Sequence, residues 1–307
     1  MGEGEQAPQL TAPGAARVAY LAYRGLSYPL RAMPRPLAGL VSETAGSALG
    51  HLTRERRQVV AANLRRVLGP DAGEEAVDAA VDAAFSSYAR YWIESARLID
   101  MSPRFVLSHV VIENYEAVLD AQAEGRGVIL ALPHLGSWEV GGRWLTLKGN
   151  PMTTVVEPAR SPELFEWMRR QRSALGLEVV PLGPKATGLL ARRLREAKVV
   201  GLVADRDIAG NGIEVDFFGE ATRLPAGPAA LALRTGAALL PAAVYQRPRG
   251  YYRGVIRPEI QIERTGRFRS DLQALTSALT REFEDLIRAA PSQWHAFQPN
   301  WPTGAGA

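Results

Sequence analysis

Residues 127–144, GVILALPHLGSWEVGGRW, constrain the fold more than any other stretch of the chain. Val128, Ile129, Leu130, Ala131 and Leu132 form an uninterrupted apolar run between Gly127 and Pro133. That length and that content of branched side chains predict a buried strand. His134 lies just past its C-terminal end, the edge at which open α/β sheets bind ligands. Leu135, Gly136 and Ser137 then turn the chain into a predicted helix with Glu139 in its first turn. A histidine so placed can act as a base near neutral pH.

The same kind of run recurs on both sides. VVIEN (110–114) reads as a strand, YEAVLDAQAEG as a helix closed by Gly125, and TTVVE (153–157) as the strand after the His134 segment. A helix over 161–175 leads to LEVVP (177–181), and a helix over 185–197 to VVGLVAD (199–205). IEVDFF (213–218), a proline-started helix over about 225–235, ALLPAAVY (238–245), YYRGVIRPEIQIE (251–263) and a helix over 269–289 complete the series. Strands alternating with helices predict an α/β fold, with a mostly parallel sheet covered on both faces. Gly219–Pro228, GEATRLPAGP, reads as a connection. The helix amides that follow it suit an anion or an oxyanion, and a plain loop with proline near the first helical turn accounts for the same residues equally well.

The first third of the chain differs in charge and pattern. The whole chain carries 36 Lys+Arg against 32 Asp+Glu. Residues 1–69 alone hold nine arginines and four acids, a balance of +5 that leaves −1 for the rest. Such a basic end suits an anionic surface. Residues 1–13 are rich in Gly, Pro and Glu and are expected to be disordered. From Ala15 to about His51 apolar residues recur at helical spacing, with Tyr20, Tyr23 and Tyr28 among arginines and a break at Pro34 and Pro36. This pattern fits a helix lying in a bilayer interface, and it equally fits a helix packed on its own domain with arginines on the wet face. RERRQVVAANLRRVL (54–68) is a basic amphipathic helix, and Gly69-Pro70 separates it from a second helix over about 73–97. No zinc finger, RRM signature or stacking array accompanies these arginines, so a nucleic-acid partner is not expected. No apolar run reaches the ~18 residues of a spanning helix, and MGEGEQAPQLTAPG lacks the basic start and apolar core of a signal peptide.

The candidate chemistry gathers at one sheet edge. If the sheet is parallel, Asp205-Arg206-Asp207 ends VVGLVAD at the edge that carries His134. One of these aspartates could accept the Nδ1 proton of the histidine and fix its tautomer. Arg206 and Arg223 are suited to phosphate or diphosphate oxygens, and Glu157, at the end of TTVVE, is a further candidate for binding substrate. Glu139 could orient His134 or anchor a cation, or serve only as a first-turn acid favoured by the helix dipole. The bland reading of His134 is a strand-end histidine bonded to backbone. His295, beside Trp294, is a weaker candidate for the base. Asp205, Asp207, Gly210 and Asp216 fall at positions 1, 3, 6 and 12 of an EF-hand count, but position 12 should be glutamate and strands flank the loop, so no metal is expected. There is no cysteine and no G-x-S-x-G, H-E-x-x-H or P-loop motif, which favours direct attack within a ternary complex over a covalent enzyme intermediate.

Five segments carry a resemblance: YARYWIES (88–95), LPHLGSWE (132–139), VADRDIAGNGIEVDFFGEATRLPAGPAALA (203–232), TGAALLP (235–241) and PSQWHAFQPNWP (291–302). Together they resemble the lipid A late acyltransferases of the lysophospholipid-acyltransferase superfamily, and the last segment is more similar to the branch that acylates phosphatidylinositol mannosides. The resemblance implies a central sheet of about seven strands with helices on both faces. It implies transfer of a long acyl chain from acyl-CoA, as co-substrate with no further cofactor, to a glycolipid hydroxyl. It implies an ion pair of Glu139 with Arg172 (rivals Arg169 and Arg170), and a carboxylate partner for His134 that is Asp205 ahead of Asp207. The expected organisation is residues 14–100 as membrane-associating helices and 101–307 as the α/β core, joined in one structural domain. That protein would sit peripherally on the cytoplasmic face of the plasma membrane.

Overall fold

A computed structural model describes residues 13–157, 162–208 and 210–301. Of residues 1–13, expected to be disordered, 1–12 lie outside the described residues, as does Pro302 of the C-terminal motif, while Pro13 begins the first helix. The chain opens with four helices: α1 (Pro13–Ala32), α2 (Arg35–Leu52), α3 (Arg54–Leu68) and α4 (Glu74–Leu98). Pro34, in extended conformation, separates the first two, and its ring disfavours helical geometry at Met33 just before it. Gly69 ends α3 at a φ of 89°, a conformation that costs a residue with a Cβ far more. Alternate faces of α3 and α4 bury Val60, Leu64, Val77, Val81 and Phe85 against one another. A Cβ on Gly46 would collide with the Ser86 backbone, so α2 lies directly on α4.

The rest alternates as expected, with one added helix: α5 (Pro103–His109), β1 (Val110–Glu113), α6 (Glu116–Ala123), β2 (Val128–Leu132), α7 (Trp138–Leu147), β3 (Met152–Val156), α8 (Pro162–Ala174), β4 (Glu178–Pro181), α9 (Ala186–Arg195) and β5 (Val199–Val203). There follow β6 (Ile213–Phe217), β7 (Glu220–Leu224), α10 (Gly227–Thr235), β8 (Ala238–Gln246), β9 (Tyr252–Ile256) and α11 (Phe268–Arg288). Seven strands form one mixed sheet in the order β1-β9-β8-β2-β5-β3-β4. β8, β2, β5, β3 and β4 run parallel, while β9 runs antiparallel to β8 and carries β1 alongside it. Every residue of β2 and β8 is buried, as strands covered on both faces must be.

Three expectations are corrected. IEVDFF does not extend the central sheet. It pairs antiparallel with β7 in a separate hairpin, since the short segment after β5 holds no crossover long enough to return a parallel strand. GEATRLPAGP is therefore not a plain connection, because Glu220–Leu224 is a strand whose Thr222 and Leu224 point inward. The late strand is also shorter than YYRGVIRPEIQIE, ending at Ile256 two residues before Pro258, which cannot donate to a ladder.

Candidate active site

β2 and β5 are neighbours in parallel register, with Leu132 opposite Val203. The register continues one step, as the Ala204 amide donates to Leu132 O at 2.9 Å. Two residues past each strand, His134 and Asp205 therefore stand at one level of the sheet edge, and His134 Nδ1 meets Asp205 Oδ1 at 2.6 Å. The turn that frees His134 depends on Gly136, whose φ is 59° and where a Cβ would collide with the Val244 carbonyl. Ser137 then donates its amide to that same carbonyl at 2.8 Å, and α7 begins.

The C-terminal segment closes over this edge. Trp294 Nε1 donates to the second carboxylate oxygen of Asp205 at 2.7 Å. Asn300 Nδ2 donates to the Asp205 carbonyl at 2.9 Å, and the His295 amide to the His134 carbonyl at 2.7 Å. Burial by itself would raise the Asp205 pKa. Attraction to His134 and hydrogen bonds from His134 and Trp294 outweigh it and hold the carboxyl below its ordinary value. An ionised carboxylate only accepts, so Nδ1 carries the proton and Nε2 presents its lone pair. The Asp205 side chain is 3% exposed and that of His134 33% exposed, so a substrate reaches the histidine and not its partner.

A second buried pair lies beside the first. Glu139 Oε1 accepts from Arg172 Nε at 2.6 Å, and the Ser95 hydroxyl donates to Glu139 Oε2. Arg172, on the last turn of α8, also lies over the Trp138 ring, 5.3 Å from its centroid. Burial would lower the Arg172 pKa, but the Glu139 charge and contact with Tyr91 raise it. The rivals Arg169 and Arg170 both pair with Glu166 on the α8 surface. Neither Glu139 oxygen is bonded to His134, so the role of orienting the histidine falls to Asp205.

The remaining candidates separate. Asp207 is not a partner of His134, for its two oxygens accept the amides of Gly210 and Gly212 and shape the loop. Arg206 reaches Glu157, at the end of neighbouring β3, with 3.5 Å between Nη2 and Oε2. Arg206 and Arg223 line one cavity together with Asp207. His295 bonds Ser87 through Nε2 at 3.1 Å, and desolvation, with His134 adding to it, pushes its imidazole down to about 3, too low to serve as a base near neutral pH.

Trp294 and Asn300 were not among the site residues expected, although WHAFQPNWP contains both. The face of α4 carrying YARYWIES also enters. Ser137 donates to Glu94 at 3.0 Å and accepts from Gln246 at 3.0 Å, with Glu94 paired to Arg90 at 2.6 Å. This network anchors the first turn of α7. No local pattern signals it, because its members come from three distant parts of the chain.

Among the described residues no serine or threonine is hydrogen-bonded to the His134 side chain, whose printed partner is Asp205. A carboxylate-backed histidine open at a sheet edge is the arrangement of an enzyme that activates a bound hydroxyl. The chain matches the family described as bacterial lipid A biosynthesis acyltransferases over residues 6–303, and it belongs to that family. It is similar to the phosphatidylinositol mannoside acyltransferase of Mycolicibacterium smegmatis, 38% identical over 246 residues that cover 78% of this chain and 77% of that protein. The protein of the same name from Mycobacterium tuberculosis is 40% identical over 245 residues, covering 78% and 75%. A lipid A biosynthesis acyltransferase of Haemophilus influenzae is 24% identical over 267 residues, covering 85% and 80%. The chain is thus an acyltransferase acting on lipid substrates.

Proposed function

We propose that this acyltransferase moves a long acyl chain from acyl-CoA to the mannose 6-hydroxyl of a phosphatidylinositol mannoside. The 2.6 Å contact between His134 Nδ1 and Asp205 carries the reading of mechanism, and the names of the 38–40% identical relatives support the acceptor. His134 Nε2 takes the hydroxyl proton as the alcohol oxygen attacks the thioester carbonyl. Asp205 stabilises the imidazolium that forms. The tetrahedral oxyanion collapses, the C–S bond breaks, and the coenzyme A thiolate leaves and takes up the proton. A positioned base contributes roughly 10²–10⁴-fold. Glu139 and Arg172 shape the wall beside the histidine without touching the proton. The transfer converts a thioester into an ester, with no change of oxidation state and no cofactor beyond the acyl donor.

In this reading the protein works peripherally on the cytoplasmic face of the plasma membrane. Leu21, Leu26, Tyr28, Leu37 and Leu40 are exposed on α1 and α2, in the most basic part of the chain, as a helix at a lipid interface requires. No helix among the described residues is long and apolar enough to cross a membrane.

The test is release of coenzyme A thiol from palmitoyl-CoA, with and without a phosphatidylinositol mannoside, by wild type and His134→Ala. Release that needs both acceptor and histidine is expected. Release that needs His134 but occurs only with a lipid A precursor would replace the acceptor. Lipid binding with no release under any acceptor would overturn catalysis by this chain.

A further inference from the structure

Around the dyad the chain is closed almost everywhere. From Gly127 to Gly142 every residue is buried except His134 and Trp138. The two stand four residues apart across the Gly136 turn, with at most about 14 Å between their Cα atoms. The chemistry of the base accounts for the open histidine. Nothing yet accounts for the open tryptophan. Trp144 of the same helix and Trp294 of the C-terminal segment are buried, as the hydrophobic effect favours for rings of that size.

The Trp138 ring is also held in place. It packs against the apolar core that includes Leu132 and Val140. The Arg172 guanidinium lies 5.3 Å from its centroid, and Arg172 is fixed in turn by its buried bond to Glu139 and by contact with Tyr91. Among the described residues the Trp138 Nε1 proton meets no acceptor. A flat apolar surface with an unused donor at its rim therefore stands near the base, oriented before any substrate arrives.

A ligand that fits such a surface has a flat apolar face and acceptors around its edge. A hexose has both, in the axial C–H bonds of one face and the hydroxyls of the rim. An acyl chain has no such acceptors. The adenine of coenzyme A also stacks, but the pantetheine arm separates it from the thioester. The hydroxyl that gives its proton to His134 belongs to the sugar itself, so the sugar is the ring that must lie near the base.

We propose that Trp138 is the platform on which the acceptor's sugar ring stacks, with its reacting hydroxyl turned towards His134 Nε2, and that this contact selects a glycosyl acceptor. The identity of the sugar rests on the acyltransferase reading above; the platform rests on the ring and its setting.

The test is calorimetric titration of the full chain with glycerophosphoinositol mannoside, the acceptor without its acyl chains, and separately with coenzyme A, beside the thiol-release assay. Trp138→Leu is expected to weaken the mannoside about tenfold and to leave coenzyme A unchanged, a split that a folding defect cannot produce. Trp138→Phe, which keeps a flat ring, is expected to recover most of the lost affinity. In wild type, NMR saturation transfer should be strongest at the axial protons on C3 and C5 of the mannose, a readout that needs no variant to fold. If Trp138→Leu binds the mannoside as wild type does, or loses coenzyme A instead, the platform is refuted even where acyl transfer is intact. Saturation spread evenly over the sugar, or no mannoside binding by wild type, refutes it as well. If the mannoside affinity falls as expected in a chain that transfers no acyl group, the platform stands and the acyltransferase reading falls.

Discussion

Two buried acids flank the start of α7, and they are used in opposite ways. Asp205 holds a histidine that is one-third exposed, whereas Glu139 holds an arginine that is as buried as itself. Each carboxylate is paired and accepts a further bond, from Trp294 or from Ser95. The difference lies in the partner. Imidazole changes charge near neutral pH and guanidinium does not, so the same device makes a proton carrier on one side and a fixed strut on the other.

The sharpest way to break this contrast is His134→Ala. Turnover should fall by roughly 10²–10⁴-fold, with a smaller loss of stability than in the second pair, because Asp205 keeps its hydrogen bond from Trp294 when the histidine is gone. Equal losses of activity and stability would make both pairs structural. Arg172→Ala should do the reverse. It strands the Glu139 charge, which for a buried pair costs about 3–5 kcal/mol, read from chemical denaturation. Adding Glu139→Gln to it should recover part of that loss.

Trp294→Phe sharpens the comparison from the other side. It removes one hydrogen bond to the Asp205 carboxylate and keeps most of the ring in its cluster with Phe217 and Trp301. We expect kcat to fall by roughly tenfold and the acid limb of the pH profile to move upward. A loss of kcat with an unmoved profile would reduce Trp294 to packing.

A smaller effect concerns acid stability. The Asp205 pKa is depressed in the folded chain, so its ionised form stabilises the fold above the unfolded value of about 3.9. That contribution is lost as pH falls through the folded value. Wild type and Asp205→Asn should therefore differ most in stability near neutral pH and converge below about pH 4. The smallest effect is Arg170→Ala, whose exposed pair with Glu166 should leave activity and stability unchanged.

How much of this was legible depended on sequence separation. VILALPH announced its strand, its end and its histidine, because five consecutive buried residues and a proline act within a few positions of one another. The helix pair over 54–68 and 74–98 was equally plain from its period. The β6–β7 hairpin was not, since EATRL is short and sits between turn residues that read as a loop. Local pattern alone did not separate Asp205 from Asp207, and only the resemblance put Asp205 first; they diverge because the first lies two residues past β5, level with His134, and the second is captured by its own loop amides.

The sequence by itself determined most of the strands and helices, that the sheet would be mostly parallel, and that a histidine would end its central strand. Those are consequences of local periodicity and of breakers at fixed positions. Only the tertiary structure decided which carboxylate meets His134, that Trp294 grips it from 89 residues away along the chain, and that Arg172 rather than its neighbours closes on Glu139. Such pairings follow from strand order and from the packing of segments remote in sequence, which no local pattern encodes.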